Sequence, residues 1–534
     1  MGKILKKVDS GLVLILSFPL MVLITGILTE LKFSDEIFHF WFARDWFDLG
    51  QRPLYNHLVD TLEDLGYFRY YDNAPLWHGG LAYLAKAWGG FSKNLAQVYQ
   101  ALIYFILIAN TYLLAKELYG RLAARWAALI VATTPMFVSF GILFFMDMPV
   151  ATLIPLLMFF MVKRRFALAG VVLAMMFLTK RNAYLFYPAI AALTVLSFQP
   201  HHIKIKASGI KDFLILSMVV MLITIPDFVF RNSHFGGFIF SQNTTFPQEV
   251  IQPGDTSSKE SVLPQQMVSS ETTIPKTSEV KEINYIPSSM AAQPLNILKY
   301  MGVSLLLLLL LLAVNFRKLF LTKDLIVILP IIIYIPLFFI AFKGWLAVRY
   351  LSPIIPLAAV LVSKLFAPLE KSSLHLWRDE KRNRWLRQGV LFLCLLQFAS
   401  TLVFVYTKRQ VSPGEREAIN YIKSNVPLDS RLLTPDELFF SHYTRRATFW
   451  RSSPLFVSEF FTLFWGSKEQ VRPLLKKYGI DYMVIMRERI YDDTKMRYKM
   501  GGGFPRSFVE RLSVEGFIKV YENDEVTIWS VAQK

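Results

Sequence analysis

Apolar runs recur along the chain at lengths that match the hydrocarbon layer of a bilayer, and no other feature narrows the fold so far. Read as helices, they give spans over roughly 11–29, 96–115, 124–142, 148–162, 166–179, 183–198, 212–230, 296–314, 324–342, 349–365 and 388–406, about eleven or more in all. With 54% hydrophobic residues in 534, the chain holds more apolar material than a soluble core accommodates. The expected fold class is a polytopic α-helical membrane protein. The first run follows Lys3, Lys6 and Lys7, as a signal peptide would, but its length and the lack of a small-residue cleavage site favour an uncleaved first span. The single cysteine, Cys394, excludes an intrachain disulfide.

The formal net charge is +18, which in a soluble protein would suggest nucleic acid. Here the excess lies mostly in short connections between apolar runs, so no nucleic-acid partner is expected. With the N-terminus inside, the inner segments carry Lys116, Arg121 and Arg125; Lys163, Arg164 and Arg165; Lys204, Lys206 and Lys211; Arg317, Lys318 and Lys323; and the run from Lys364 to Arg387. This is the positive-inside pattern, and it predicts a multi-pass protein of the inner cell membrane with a cytoplasmic N-terminus.

The outer side then holds three larger pieces. Residues 30–95 are rich in acids and aromatics, and residues 231–295 form a long polar loop with few apolar residues between Gln242 and Lys281. From about Val411 the tail reads as a small extracytoplasmic α/β domain, 411–534, following a membrane domain of residues 1–410. Within it Glu415–Ser424 has helical character and Tyr482–Met486 reads as a buried strand. Asn523-Asp524 signals a hairpin between Phe517–Tyr521 and Val526–Trp529.

Three acids attract attention on the outer side. Ser34-Asp35-Glu36 follows the first span and precedes the rings Phe38, Phe40, Trp41, Phe42, Trp46 and Phe47. One reading makes Ser34 a helix N-cap, the acids complements to the helix dipole, and the rings an interfacial face. The other makes a carboxylate at the membrane edge a general base. Asp147 in FFMDMPV has the same depth and no obvious solvated surface; its alternatives are function or an N-cap ahead of Pro149. Lys180, Arg181, Lys343 and Arg349 break the charge rule at outer turns. They either pair with Asp35, Glu36 or Asp147, or they bind an anion such as phosphate.

In order, these motifs resemble those of the GT-C-fold membrane glycosyltransferases that use polyprenyl-phosphate-linked sugars. The closest branch is that of dolichyl-phosphate-mannose protein mannosyltransferases and lipid A aminoarabinose transferases. The resemblance rests on Ser34-Asp35-Glu36, Asp147-Met148-Pro149, Thr179-Lys180, Arg349-Tyr350-Leu351-Ser352-Pro353 and the tail segment KKYGIDYMVIM. Two departures stand out. The family's frequent Lys-Pro-Pro is Asn73-Ala74-Pro75 here, leaving Arg69 or Lys86 as substitutes, and Arg181 replaces a frequent Gly.

The resemblance implies short juxtamembrane helices in the first outer loop, Asp35 as general base, and Asp147 as a second acid that orients the acceptor. Glu36 is a further catalytic candidate. Lys180, Arg181, Arg349 and Arg69 are candidates for binding the donor phosphate. The implied partners are a polyprenyl-phosphate-linked sugar, a protein, lipid or glycan acceptor, and the bilayer. No cofactor is certain. A divalent metal stays open, because His39, His57 and His78 share the first outer loop without a standard ligand spacing. The rival reading is a transporter or flippase of a lipid-linked or anionic substrate. Such proteins place charges near the bilayer midplane, where Asp227 after Pro226 is the main deep example here.

Overall fold

The computed structural model describes residues 11, 15–53, 75–199, 202–235, 300–314, 324–341, 348–366, 380–450, 462–464, 466–492 and 503–531. Arg69, His57, Lys343 and nearly all of the 231–295 loop lie outside these.

Among the described residues, four helices are long and apolar enough to cross a membrane: Lys93–Tyr119, Ala207–His234, Arg349–Phe366 and Arg387–Asn425. A bent pair, Arg121–Thr133 with Pro135–Ile142, gives a fifth if counted as one span. Ser17–Leu28, Asp147–Val162, Phe166–Phe177 and Leu325–Phe338 are apolar but shorter. The protein is polytopic, but the expected eleven full spans are not recovered by length. Proline explains much of the difference. Pro135 starts a new helix after a 58° bend inside the expected 124–142 span. The expected 183–198 span becomes a 3-10 turn over Arg181–Phe186, a helix over Tyr187–Val195 and strand β1, Leu196–Gln199, paired with β2, His202–Ile205.

The Lys93–Tyr119 helix packs against Asp147–Val162, Arg121–Thr133 and Ser17–Leu28. Small residues permit the close approach: Ala123, Ala124, Ala127 and Ala128 are all fully buried. At Gly26 an added Cβ would lie 2.2 Å from the Gln97 side chain, which would have to leave its bond to the Gly141 carbonyl to make room.

The chain after Val411 forms a five-stranded mixed sheet in the order β4-β3-β5-β9-β8. The strands are β3 Arg431–Leu433, β4 Ala447–Phe449, β5 Ile480–Met486, β8 Ile518–Glu522 and β9 Val526–Ser530, while β6 Ile490–Tyr491 and β7 Phe504–Pro505 pair with each other apart from this sheet. β5 is the buried strand expected at Tyr482–Met486, and β8–β9 is the hairpin signalled by Asn523-Asp524. Alternation in β5 feeds two cores. Val484 and Met486 join the core shared with Ile37, Trp41 and Trp77, whereas Met483 and Ile485 join the one under helices Lys468–Lys477 and Arg506–Val514. The expected helix in this region runs Pro413–Asn425 behind a capping box of Ser412 and Glu415.

Candidate active site

The Ser34–Leu49 helix carries Asp35 and Glu36 in its first turn, but its N-cap position falls on Phe33 instead of Ser34. Nor do its rings simply lie on a membrane surface. Phe40, Trp41, Phe42 and Trp46 are buried against neighbouring helices and the sheet. Trp41 donates to His442 Nδ1 at 2.8 Å, and the guanidinium groups of Arg44 and Arg445 lie 4.7 and 4.3 Å from its ring centroid. The aromatic run therefore joins the membrane bundle to the C-terminal sheet.

Adjacent helix positions point about 100° apart, and the two acids of this turn accordingly meet different partners. Asp35, 51% exposed, pairs with Arg349. Glu36, fully buried, pairs with Arg409, whose Nη1 also donates to Thr29 Oγ1 at 2.7 Å. The fastening continues along the chain, with Lys32 on Glu415 at 2.7 Å and Glu30 on Arg416 at 3.1 Å. Thus Glu36 belongs to the clamp between residues 29–36 and 409–416. It makes no described ion pair with the cations of the outer turns.

Asp147 opens the Asp147–Val162 helix and is 2% exposed. Its position is fixed by the break before it. Gln100 Nε2 donates to the carbonyls of Phe140 at 2.8 Å and Leu143 at 3.1 Å, and Gln100 Oε1 accepts from Trp77 Nε1 at 3.2 Å. These bonds satisfy non-helical backbone inside an apolar bundle. Lys180 Nζ reaches Asp147 Oδ1 at 2.6 Å.

Both ion pairs meet at one ring. Lys180 Nζ lies 4.7 Å from the Tyr350 centroid and the Arg349 guanidinium 5.3 Å from it. Tyr350 is held in turn, because its carbonyl accepts from Tyr334 OH at 2.9 Å, and that hydroxyl accepts from Asn182 Nδ2 at 3.2 Å. The 3-10 turn after Lys180 and the one around Arg349, Val348–Ile354, are thereby locked together.

One residue that sequence reasoning weighed only as a metal ligand also faces this group. His39 lies one turn beyond Asp35 on the same helix face, and its Nδ1 is 3.1 Å from His78 Nε2. Burial pushes the His39 imidazole down to about 3, and the charges of Lys180 and Arg349 push the same way. His39 is therefore neutral. Among the described residues no group of three or more His, Cys, Asp or Glu side chains gathers in a metal-binding arrangement.

Arg181 faces a different group. It interacts electrostatically with Arg231, Tyr184, Asp227 and Arg52. Asp227 receives Arg52 at 2.6 Å and Arg231 at 3.0 Å, and Arg231 also donates to Tyr184 OH at 3.0 Å. Arg52 and Arg231 were missed in sequence. Asp227, expected as the main deep acid, instead sits near the outer-turn residue Arg181, held by two arginines.

Residues 75–230 match the family of dolichyl-phosphate-mannose-protein mannosyltransferases. In structure the chain is similar to ArnT from Cupriavidus metallidurans bound to undecaprenyl phosphate, with a TM-score of 0.59 and 13% identity over 97% of this chain and 98% of that one. It is also similar to the archaeal oligosaccharyltransferase AglB from Archaeoglobus fulgidus in complex with an inhibitory peptide and a dolichol-phosphate. There the TM-score is 0.58 and the identity 12%, over 97% of this chain and 74% of that one. A search of curated protein sequences gives no match. The chain thus resembles the GT-C-fold membrane glycosyltransferases, as the order of its motifs suggests, and its likeness to the solved structures is one of fold.

Proposed function

We propose that the protein is a membrane glycosyltransferase that moves a sugar from a polyprenyl phosphate to an acceptor hydroxyl. The observation that carries this reading is the chain of groups Asp35–Arg349–Tyr350–Lys180–Asp147, which sets two acids and two cations around one ring. The relatives' bound undecaprenyl phosphate and dolichol-phosphate support a lipid-linked donor of this chemistry. The reaction takes place at the outer membrane face, with the sheet after Val411 lying outside the membrane.

The donor's anomeric carbon already carries a good leaving group, a phosphate, which needs charge stabilisation more than it needs an acid. Arg349 is placed to exchange Asp35 for the phosphate when donor binds. Its planar guanidinium suits two phosphate oxygens, and Lys180 adds a point charge. That exchange frees the Asp35 carboxylate to take the acceptor's hydroxyl proton as its oxygen attacks. A single displacement inverts the anomeric centre. Asp147, buried and held by Lys180, orients the acceptor side of the site, while neutral His39 adds no competing charge. Arg181 contributes positive potential from the Asp227 group without touching the Tyr350 centre in the described contacts.

The test uses purified full-length protein and a panel of polyprenyl-phosphate sugars. Release of polyprenyl phosphate from one donor, lost in Asp35→Asn while donor binding persists, is the expected result. Release that survives Asp35→Asn would refute the role of Asp35, and absence of donor binding across the panel would refute the reading as a whole.

A further inference from the structure

At the opposite end of the Asp147–Val162 helix from Asp147 lies a cavity of about 120 Å³. It is lined by Met161, 14 positions beyond Asp147, which is roughly 21 Å along a helix. The candidate active site plays no part in it. Its volume corresponds to about four waters.

The wall chemistry is divided. Arg164 and Lys206 supply cations, Asp212 supplies a carboxylate and Ser208 a hydroxyl, over an apolar floor that includes Phe166 and Ile326. Among the described residues no ion pair joins Asp212 to either cation, although all three line the same cavity. Opposite charges left apart around one space match a ligand that carries both charges itself. A phosphodiester suits Arg164 and Lys206, and a primary ammonium suits Asp212.

Two further features point to a lipid. The cavity lies at the first turn of the Ala207–Phe235 helix, one of the helices long and apolar enough to cross a membrane, where lipid headgroups meet such a bundle. The backbone is also drawn tightly to the site. At Gly209 an added Cβ would sit 2.4 Å from the Thr194 carbonyl oxygen, and Arg164 holds a left-handed φ of 54° that glycine would adopt more easily. A side chain at position 164 thus has a use beyond making the turn.

We propose that this cavity binds a membrane lipid whose headgroup combines a phosphodiester with a primary amine. It lies at the basic end of the bundle, beside Lys163, Arg165 and Lys211.

The test measures lipid binding to the full-length protein in detergent by native mass spectrometry. The probes are dioleoyl phosphatidylethanolamine, dioleoyl phosphatidylglycerol and soluble phosphoethanolamine. Wild type is expected to hold the ethanolamine lipid about tenfold more tightly than the glycerol lipid, the effect of one charge-assisted hydrogen bond. Asp212→Asn should erase that preference, and Arg164→Gln with Lys206→Gln should lose both lipids, whereas Arg164→Lys keeps them. Equal binding of the two lipids to wild type would overturn the proposal, as would retention of the ethanolamine lipid by the double variant. Soluble phosphoethanolamine competing at the same concentration as the lipid would overturn the lipid assignment. The wild-type comparisons decide the matter even if a variant fails to fold.

Discussion

Lys180 reaches Asp147 across 2.6 Å, and the carboxylate it holds is almost sealed from solvent. Removing one member of such a pair leaves a buried charge uncompensated. Lys180→Met is therefore expected to lower stability by about 3–5 kcal/mol. The double variant Lys180→Met with Asp147→Asn should recover most of that loss, because no unpaired charge is left. Turnover should not return with it, since the phosphate and the acceptor would both lack their partners. Denaturant unfolding in detergent and release of polyprenyl phosphate read the two effects apart. Return of turnover in the double variant would reduce the pair to a structural link.

Asp35 offers the opposite balance. Its carboxylate is 51% exposed, so its pairing with Arg349 adds under about 1 kcal/mol to stability. As the general base it should matter far more to rate, with Asp35→Asn lowering turnover by about 10²–10⁴-fold. Unchanged melting together with that loss is the expected signature. A melting loss proportionate to the lost activity would place Asp35 in the scaffold instead.

How much of this was legible in sequence follows from what each signal reports. Lys180 and Arg349 stood out because they break the charge bias of the connecting segments, and the structure brings both onto Tyr350. The same rule applied throughout would have flagged Arg52, Arg231 and Arg409, which pair with the acids Asp227 and Glu36. Their acids are distant in sequence, so the pairings Arg409–Glu36 and Arg52–Asp227 could not be read from local pattern. Asp35 and Glu36 are neighbours with separate partners, a difference of helix phase that only the packing of the 29–36 and 409–416 segments settles. Local signals did better where geometry is local. Asn523-Asp524 gave the β8–β9 hairpin, and the apolar run Tyr482–Met486 gave β5, covered on both faces.

The Glu36–Arg409 pair makes its own prediction. Both side chains are fully buried. Glu36→Gln keeps the shape but strands the guanidinium, at an expected cost of about 3–5 kcal/mol. Replacing both residues, Glu36→Gln with Arg409→Met, should restore much of the melting temperature. Because this clamp only positions the Ser34–Leu49 helix, turnover per folded molecule should return along with stability in the double variant, unlike the Lys180–Asp147 case. A double variant that regains stability yet stays inactive would return Glu36 to the catalytic group.

The Trp41–His442 bond links the sheet to the membrane bundle and should make that junction acid-sensitive. Trp41 Nε1 donates to His442 Nδ1, so that nitrogen must keep its lone pair and the imidazole must stay neutral. Burial pushes His442 down to about 4, with the charges of Arg445, Arg44 and Lys423 pushing the same way. Above the ordinary value of 6.5 the ring is neutral in folded and unfolded chains alike, and it adds no pH dependence. As pH falls below 6.5 the unfolded chain takes up the proton first. Stability should then drop by up to about 1.4 kcal/mol per pH unit until the folded ring titrates. His39, with its still lower value of about 3, adds a second contribution of the same sign. His442→Gln supplies an acceptor that does not titrate, so it should keep stability near pH 7.5 and flatten the slope between 6.5 and 4. Denaturant unfolding at several pH values measures this directly. An unaltered acid slope in His442→Gln would mean that the ring takes up its proton equally readily in folded and unfolded chains, contrary to its role as acceptor for Trp41.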